Sequence, residues 1–313
     1  MVLVAASVIV AACGGANGAG PDGIGKVTTY PLPDPVFPSG IAFDGTSLWI
    51  GEGSTISDPG WLLRVDLTGE VTRVAVPEGI SPAGVVLDGT NLWVSSSGIR
   101  AISAVLKIGP SGEMTTFSLP ADSYPSEIAS DGTNVWTANS FRSGVSRVTP
   151  NGEISTYLMY DTYPNGIAFD GTNMWATSIG VGRTASVVKI SPTGQFTRYP
   201  LPDGSSPRGI AFDGTNMWTA NTDSNTVMTI TPAGALTTYR LPRQSHPTGI
   251  AFDGTDMWVT ENDTDKVARI TPKGSISHVS LPEGSHPAEI AFDGTNLWVV
   301  NHGSDTISKI RVR

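Results

Sequence analysis

The 313-residue sequence predicts an all-β chain, a closed ring of seven four-stranded antiparallel sheets, on three observations. First, an Asp in an Asp-Gly-Thr-like turn recurs at Asp44, Asp88, Asp131, Asp170, Asp213, Asp253 and Asp293, 39 to 44 residues apart. Second, a Trp follows five residues later every time, at Trp49, Trp93, Trp136, Trp175, Trp218, Trp258 and Trp298. Third, each period divides into four short runs rich in Ile, Val, Phe, Trp and Thr between Asp-Gly or Pro-x-Gly turns, the pattern of strands joined by hairpins. Four strands in a period near 40 residues make a β-propeller blade, so the ring is a seven-bladed β-propeller.

The chain opens with the apolar run MVLVAASVIVAA, residues 1–12. It falls short of the ~20 residues a membrane-spanning helix needs and reads as the apolar part of an export signal peptide. Cys13, the only cysteine, follows directly, and Val10-Ala11-Ala12-Cys13 resembles a bacterial lipobox, in which the signal is cut before a Cys that then carries lipid. A plain signal peptide with an incidental Cys is the alternative. Residues 13–25 read as a lipidated Cys and a Gly-rich linker, and residues 26–313 as the propeller. The expected location is outside the cytoplasm, on the cell membrane through Cys13 or secreted. A single Cys excludes an internal disulfide and a multi-cysteine metal site.

The stretch Lys26–Pro33, KVTTYPLP, matches FTRYPLP from Phe196 and LTTYRLP from Leu236, with Tyr30 falling where Tyr157, Tyr199 and Tyr239 fall. The C-terminal SKIRVR supplies the third strand of the seventh copy and no fourth. The N-terminal strand is therefore expected to complete the last blade, closing the ring and removing two open edges. In the sixth copy, GIAFD, MWVT, KVARI and SISHVSL are strands A to D, with DGTD and TPKG as the A–B and C–D turns.

Twenty-eight acidic residues against 19 Lys and Arg give a net charge of −9, without the basic footprint a nucleic-acid binder needs. A monomer is expected. The Asp-Gly turns share one end of the ring, the bottom, where a lone Asp per hairpin offers too few oxygens for calcium. The other end, the top, carries the B–C connections and the D–A crossovers. From each repeat Asp to the Lys, Arg or Thr opening strand C the distance is 16 residues in blades 3, 5, 6 and 7 but 20, 19 and 19 in blades 1, 2 and 4. Loops that vary on a constant scaffold place a binding site on the top.

Rim positions follow from the repeat. Residues beside each crossover Pro, and the third residue after each Trp, should line the top funnel. Phe37, Tyr124, Tyr163, His246, Glu261 and Asn301 are the expected ligand-binding residues, with the aromatics suited to stacking on a sugar, a peptide or a ring. His246, His286 and His302 share this face, and a three-histidine zinc site is one reading of them. The other is that they are polar rim residues like the Ser and Tyr at equivalent places.

Blades of the form PxGIAFDGTNLWVTN…KITPxGxxTTYPLP, over residues 26 to 313, resemble the streptogramin B lyase (virginiamycin B lyase) family of seven-bladed propellers. That resemblance implies elimination at the ester of a cyclic depsipeptide, with a His base and Mg²⁺ stabilising charge on oxygen. It places the base at Ala288, two Mg²⁺ carboxylates at His286 and at Asn301-His302, and two further residues at Thr248 and Ser39. Ala288 accepts no proton, and imidazoles are poor Mg²⁺ ligands. The sequence thus reads as a top-face binder of a small molecule, glycan, peptide or protein, with no cofactor expected. The alternative is an enzyme, a Mg²⁺-dependent carbon–oxygen lyase or a lactonase-like metal hydrolase with His286 and His302 as catalytic candidates.

Overall fold

The computed structural model describes residues 24–33, 38–53, 60–97, 101–141, 144–160, 162–180 and 184–313, with a two-residue strand at Ser7–Val8. Four strands in the order A-B-C-D form each blade. Blade 1 comprises Pro38–Phe43, Ser47–Glu52, Trp61–Asp66 and Val71–Ala75; blade 2, Pro82–Leu87, Leu92–Ser96, Ala104–Ile108 and Met114–Ser118. Blade 3 comprises Pro125–Ser130, Val135–Asn139, Gly144–Val148 and Ile154–Leu158; blade 4, Thr162–Phe169, Met174–Gly180, Ala185–Ile190 and Phe196–Pro200. Blade 5 comprises Pro207–Phe212, Met217–Asn221, Thr226–Ile230 and Leu236–Arg240; blade 6, Pro247–Phe252, Met257–Glu261, Lys266–Ile270 and Ile276–Ser280.

Blade 7 takes strands A to C from Pro287–Phe292, Asn296–Asn301 and Thr306–Arg311, and strand D from Val27–Pro31 at the other end of the chain. Tyr30 pairs with Ile307, and its ring stacks on Trp298 at 5.9 Å, as Tyr157, Tyr199 and Tyr239 stack on Trp136, Trp175 and Trp218. The ring closes as the repeat pattern requires. Ser7–Val8, inside the segment read as a signal, pairs with Val71–Thr72 on the outer edge of blade 1.

The five-residue Asp-to-Trp spacing has a direct cause. In all seven blades the indole Nε1–H donates to the Asp at 2.6 to 2.8 Å, across the A–B hairpin. The other carboxylate oxygen accepts backbone N–H groups of the turn, as Asp293 does from Thr295 and Asn296. The Gly of each turn has positive φ, 95° at Gly294, which a tight hairpin favours and only Gly adopts without strain.

The cation expected to open strand C stands instead near its end, on the Trp face: Arg64, Lys107, Arg147, Lys189, Arg269 and Lys309 lie 4.9 to 5.8 Å from the ring centroids. Each such contact contributes about 0.5–1 kcal/mol at an exposed site. Blades 1 and 6 break the aromatic pattern, with Val74 and Val279 in the Tyr position. Grooves open beside Trp49 and Trp258 there.

Strand A lines the central channel, and its entry is irregular in every blade. Between Pro and the residue three positions on, the A–B register shifts in a β-bulge. A bulge re-aims the side chains it carries. The residue two places after Pro is Gly in five blades, and a Cβ on Gly249 or Gly209 would meet a carbonyl oxygen of the next blade at 2.3 Å. Neighbouring A strands therefore approach backbone to backbone around the channel.

Candidate binding site at the channel mouth

Inside the upper channel a cavity of about 320 Å³ is ringed by one β-branched residue per blade: Ile41, Val85, Ile128, Ile167, Ile210, Ile250 and Ile290. Above this collar the bulges present Glu127, Glu289, Arg208 and Asn165 to the same space. The two glutamates occupy the place where the other five blades keep Gly. Burial pushes the Glu127 carboxyl well above the usual carboxylate range, and the charge of Glu289 adds to the rise. Burial raises Glu289 too, while the Arg208 guanidinium pulls it back down.

The expected rim residues divide into three groups. At the mouth, Tyr124 lies 5.3 Å from Phe141, and Phe141, Tyr160 and Tyr163 are 66%, 75% and 47% exposed, an aromatic arc over blades 3 and 4. Phe141 and Tyr160 were missed in the sequence because they stand in connections that do not repeat. His246 also stays at the rim, its Nδ1–H donating to Asp263 at 2.5 Å. Phe37 and Cys13 lie outside the described residues.

Glu261 and Asn301 require a correction. The third residue after each Trp does not rim the funnel: Glu52, Ser96, Asn139, Ser178, Asn221, Glu261 and Asn301 are all at most 5% exposed. A strand alternates faces with period 2, so this position lies opposite the Trp, between blades. Glu261 accepts from Ser245 and Thr264 and faces His278 of strand D at 3.3 Å. Asn301 donates to Thr306 at 2.9 Å and Ser308 at 2.9 Å. Glu52 binds Arg73 of strand D at 2.9 Å, so in blades 1 and 6 this position is an internal polar tie.

The histidines do not form the metal site considered for them. His286 and His302 are backbone neighbours, the His302 N–H donating to the His286 carbonyl at 3.2 Å. Their rings turn to opposite sides. His286 Nδ1–H donates to the Asn262 carbonyl of blade 6, whereas His302 Nε2–H donates to the Pro38 carbonyl of blade 1. Burial and the charge of Arg208 lower the His302 imidazole, against a raising effect from its Pro38 contact and Asp305. Among the described residues, no group of three His, Cys, Asp or Glu side chains is placed to hold a metal ion.

The backbone at the rim is strained in a regular way. Tyr124, Ser206, His246 and His286, each just before its crossover Pro, have φ of 43° to 49°. Such a conformation costs a non-Gly residue about 1–3 kcal/mol and persists only where surroundings enforce it. The B–C turns of blades 5 and 6 do so for the crossovers into blades 6 and 7: Asn225 accepts from the His246 N–H and Asp265 from the His286 N–H.

Comparison with known proteins is decided by the repeats. The virginiamycin B lyase family model matches residues 55–253 and 174–313. The chain belongs to this family. Among solved structures, a streptogramin B lyase is 23% identical, covering 92% of this chain and 97% of its own at TM-score 0.80. A catalytically inactive histidine-to-alanine variant of the Staphylococcus aureus virginiamycin B lyase with quinupristin is 24% identical, with 92% and 99% covered, also at TM-score 0.80. A periplasmic gluconolactonase of Pseudomonas aeruginosa is 20% identical over 84% and 90%, TM-score 0.65. These similarities show the fold. No curated protein matches the chain in sequence.

The Mg²⁺ implied by the family resemblance does not fit the residues present. Its two carboxylate positions hold imidazoles whose donor nitrogens are tied to carbonyls of different blades. A hard cation needs converging oxygens. Ala288, at the place of the base, is 7% exposed. The polar +1 residues around it bridge blades: Ser39 donates to Ala83 and Thr248 to Ala288.

Proposed function

We propose that this protein is a ligand-binding member of the virginiamycin B lyase family that does not perform ring-opening elimination. The observation that carries this reading is Ala288, a buried methyl in the place of the proton-abstracting group. A general base must accept a proton within hydrogen-bond reach, and alanine offers no lone pair. The Staphylococcus aureus relative is likewise catalytically inactive with one histidine changed to alanine. The ligand reading is supported by the channel cavity and by the aromatic arc of Tyr124, Phe141, Tyr160 and Tyr163 above it.

Incubation with a streptogramin B, followed by mass spectrometry for the linearised product, is expected to show none above the protein-free control. Sustained turnover would sink the reading. No outcome of that assay bears on what else the channel binds.

The same proposal places the propeller outside the cytoplasm on a lipidated Cys13, supported by the apolar run that ends in Ala-Ala-Cys. The full-length chain expressed in a bacterium should partition with membranes and incorporate labelled fatty acid. Cys13→Ser should abolish the label, and label retained in that variant refutes the anchor.

A further inference from the structure

Two acids from opposite sides of the ring meet in the upper channel, where five blades manage with Gly. Nothing in the fold calls for them. Among the described residues none donates a hydrogen bond to the Glu289 carboxyl, which feels the charge of the exposed Arg208 guanidinium. The Glu127 carboxyl has only a backbone N–H, that of Ile128. Burying the Glu127 carboxyl beside that of Glu289 costs stability. The bulges that deliver these side chains leave their polar ends facing the open mouth of the channel cavity, with Glu127 and Glu289 half-buried and Arg208 exposed. Its volume, about 320 Å³, suits a small molecule.

The charges are arranged by sign. A carboxyl pair draws a cation, a free guanidinium pairs bidentately with a carboxylate, and Asn165 adds an amide between them in sequence order around the ring. We propose that Glu127, Glu289 and Arg208 bind a small zwitterion, an α-amino acid, with its ammonium against the two carboxyl groups and its carboxylate on Arg208. This rests on the reading that the top of the channel takes a small ligand. A lone metal cation matches less well, since Arg208 repels it and no third acidic or imidazole ligand converges. The Arg208 charge also reaches His302, on which Asp305 acts in turn; the collar beneath is apolar.

The test is calorimetric titration of the folded, full-length protein with the standard α-amino acids. For the tightest binder, its amide and its deaminated acid follow. The amino acid is expected to saturate one site, with the amide and the acid each at least tenfold weaker. Arg208→Gln and Glu289→Gln should each weaken binding at least tenfold. Glu127→Gln should weaken binding at least tenfold while leaving the melting temperature unchanged or higher, because it removes a buried acid. A purely structural role predicts the reverse, lower melting with binding retained, and overturns the proposal. Equal binding of amine-only or acid-only analogues overturns it too, as does absence of saturation by every amino acid. In those cases the broader ligand-binding reading survives if another small molecule binds the channel.

Discussion

A chain lacking residues 1–33 will fail to melt cooperatively and will self-associate, whereas one beginning at Ile24 will melt as a single unit. The longer deletion removes strand D of blade 7, whose Val27 is buried against Leu297 and Ile310, and whose Tyr30 stacks on Trp298. Leu32, just beyond the strand, fills the core between blades 7 and 1 beside Leu48, Ile50 and Val300. At about 1.5–3 kcal/mol for each such side chain, the loss is on the order of 6 kcal/mol, comparable to the whole stability of many domains. Strand Thr306–Arg311 would also present an unpaired edge, a template for association. Circular dichroism melts with sedimentation velocity measure both effects. A monomeric deletion variant melting within ~5 °C of the longer chain would refute this account of ring closure.

Acid will unfold the ring steeply between about pH 4 and pH 2, because the repeated turn carboxylates titrate together. Burial raises Asp88, yet hydrogen bonds from Asn91, Trp93 and Thr90 outweigh it and bring it from the ordinary 3.8 to about 2. Asp44, Asp131, Asp170 and Asp293 are lowered in the same way, by their turn N–H groups and Trp indoles against the effect of burial. A folded-state value below the unfolded one gives stability that is present above the unfolded value and lost as pH falls through the folded one. Up to five protons, one for each of these carboxylates, are taken up on unfolding in that window. Denaturant melts across the window should give a slope of several protons, reduced in Asp88→Asn. A flat stability profile from pH 5 to pH 2 would show that the turn carboxylates are not linked to folding.

The burial of Glu127 and Glu289 has the opposite linkage. Raised carboxyls stabilise the fold only while protonated, so their contribution is lost as pH rises through the folded-state values. Turn aspartates strengthen the ring at neutral pH and the channel acids weaken it. This opposition separates scaffold from site within one residue class, since an acid that costs stability where five of the seven blades use Gly is retained for what it touches.

The architecture was legible because its determinants are local. An Asp-Gly turn, a Trp five residues on, a cation in strand C and a Tyr in strand D each interact within one blade, so spacing in the chain is spacing in the fold. Even the distant closure was readable, since Lys26–Pro33 carries the strand D pattern that the C-terminus lacks. The site was less legible. Rim aromatics were found at Tyr124 and Tyr163, but Glu261 and Asn301 were misplaced because the repeat gives a residue's height on the blade and strand parity gives its face. Glu at the Gly position in blades 3 and 7 was a signal in the sequence, though its meaning depended on where the bulges point it.

By itself, then, the sequence determined seven blades and their closure by the N-terminal strand, both from residue types at repeated positions. Only the tertiary structure decided that Glu127, Arg208 and Glu289, from blades 3, 5 and 7, share one cavity, and that His286 and His302 turn away from each other. The physical reason is the ring. It brings residues far apart in the chain to a common axis, while a rotation about side-chain bonds, invisible in any spacing, sends two neighbouring imidazoles to different blades.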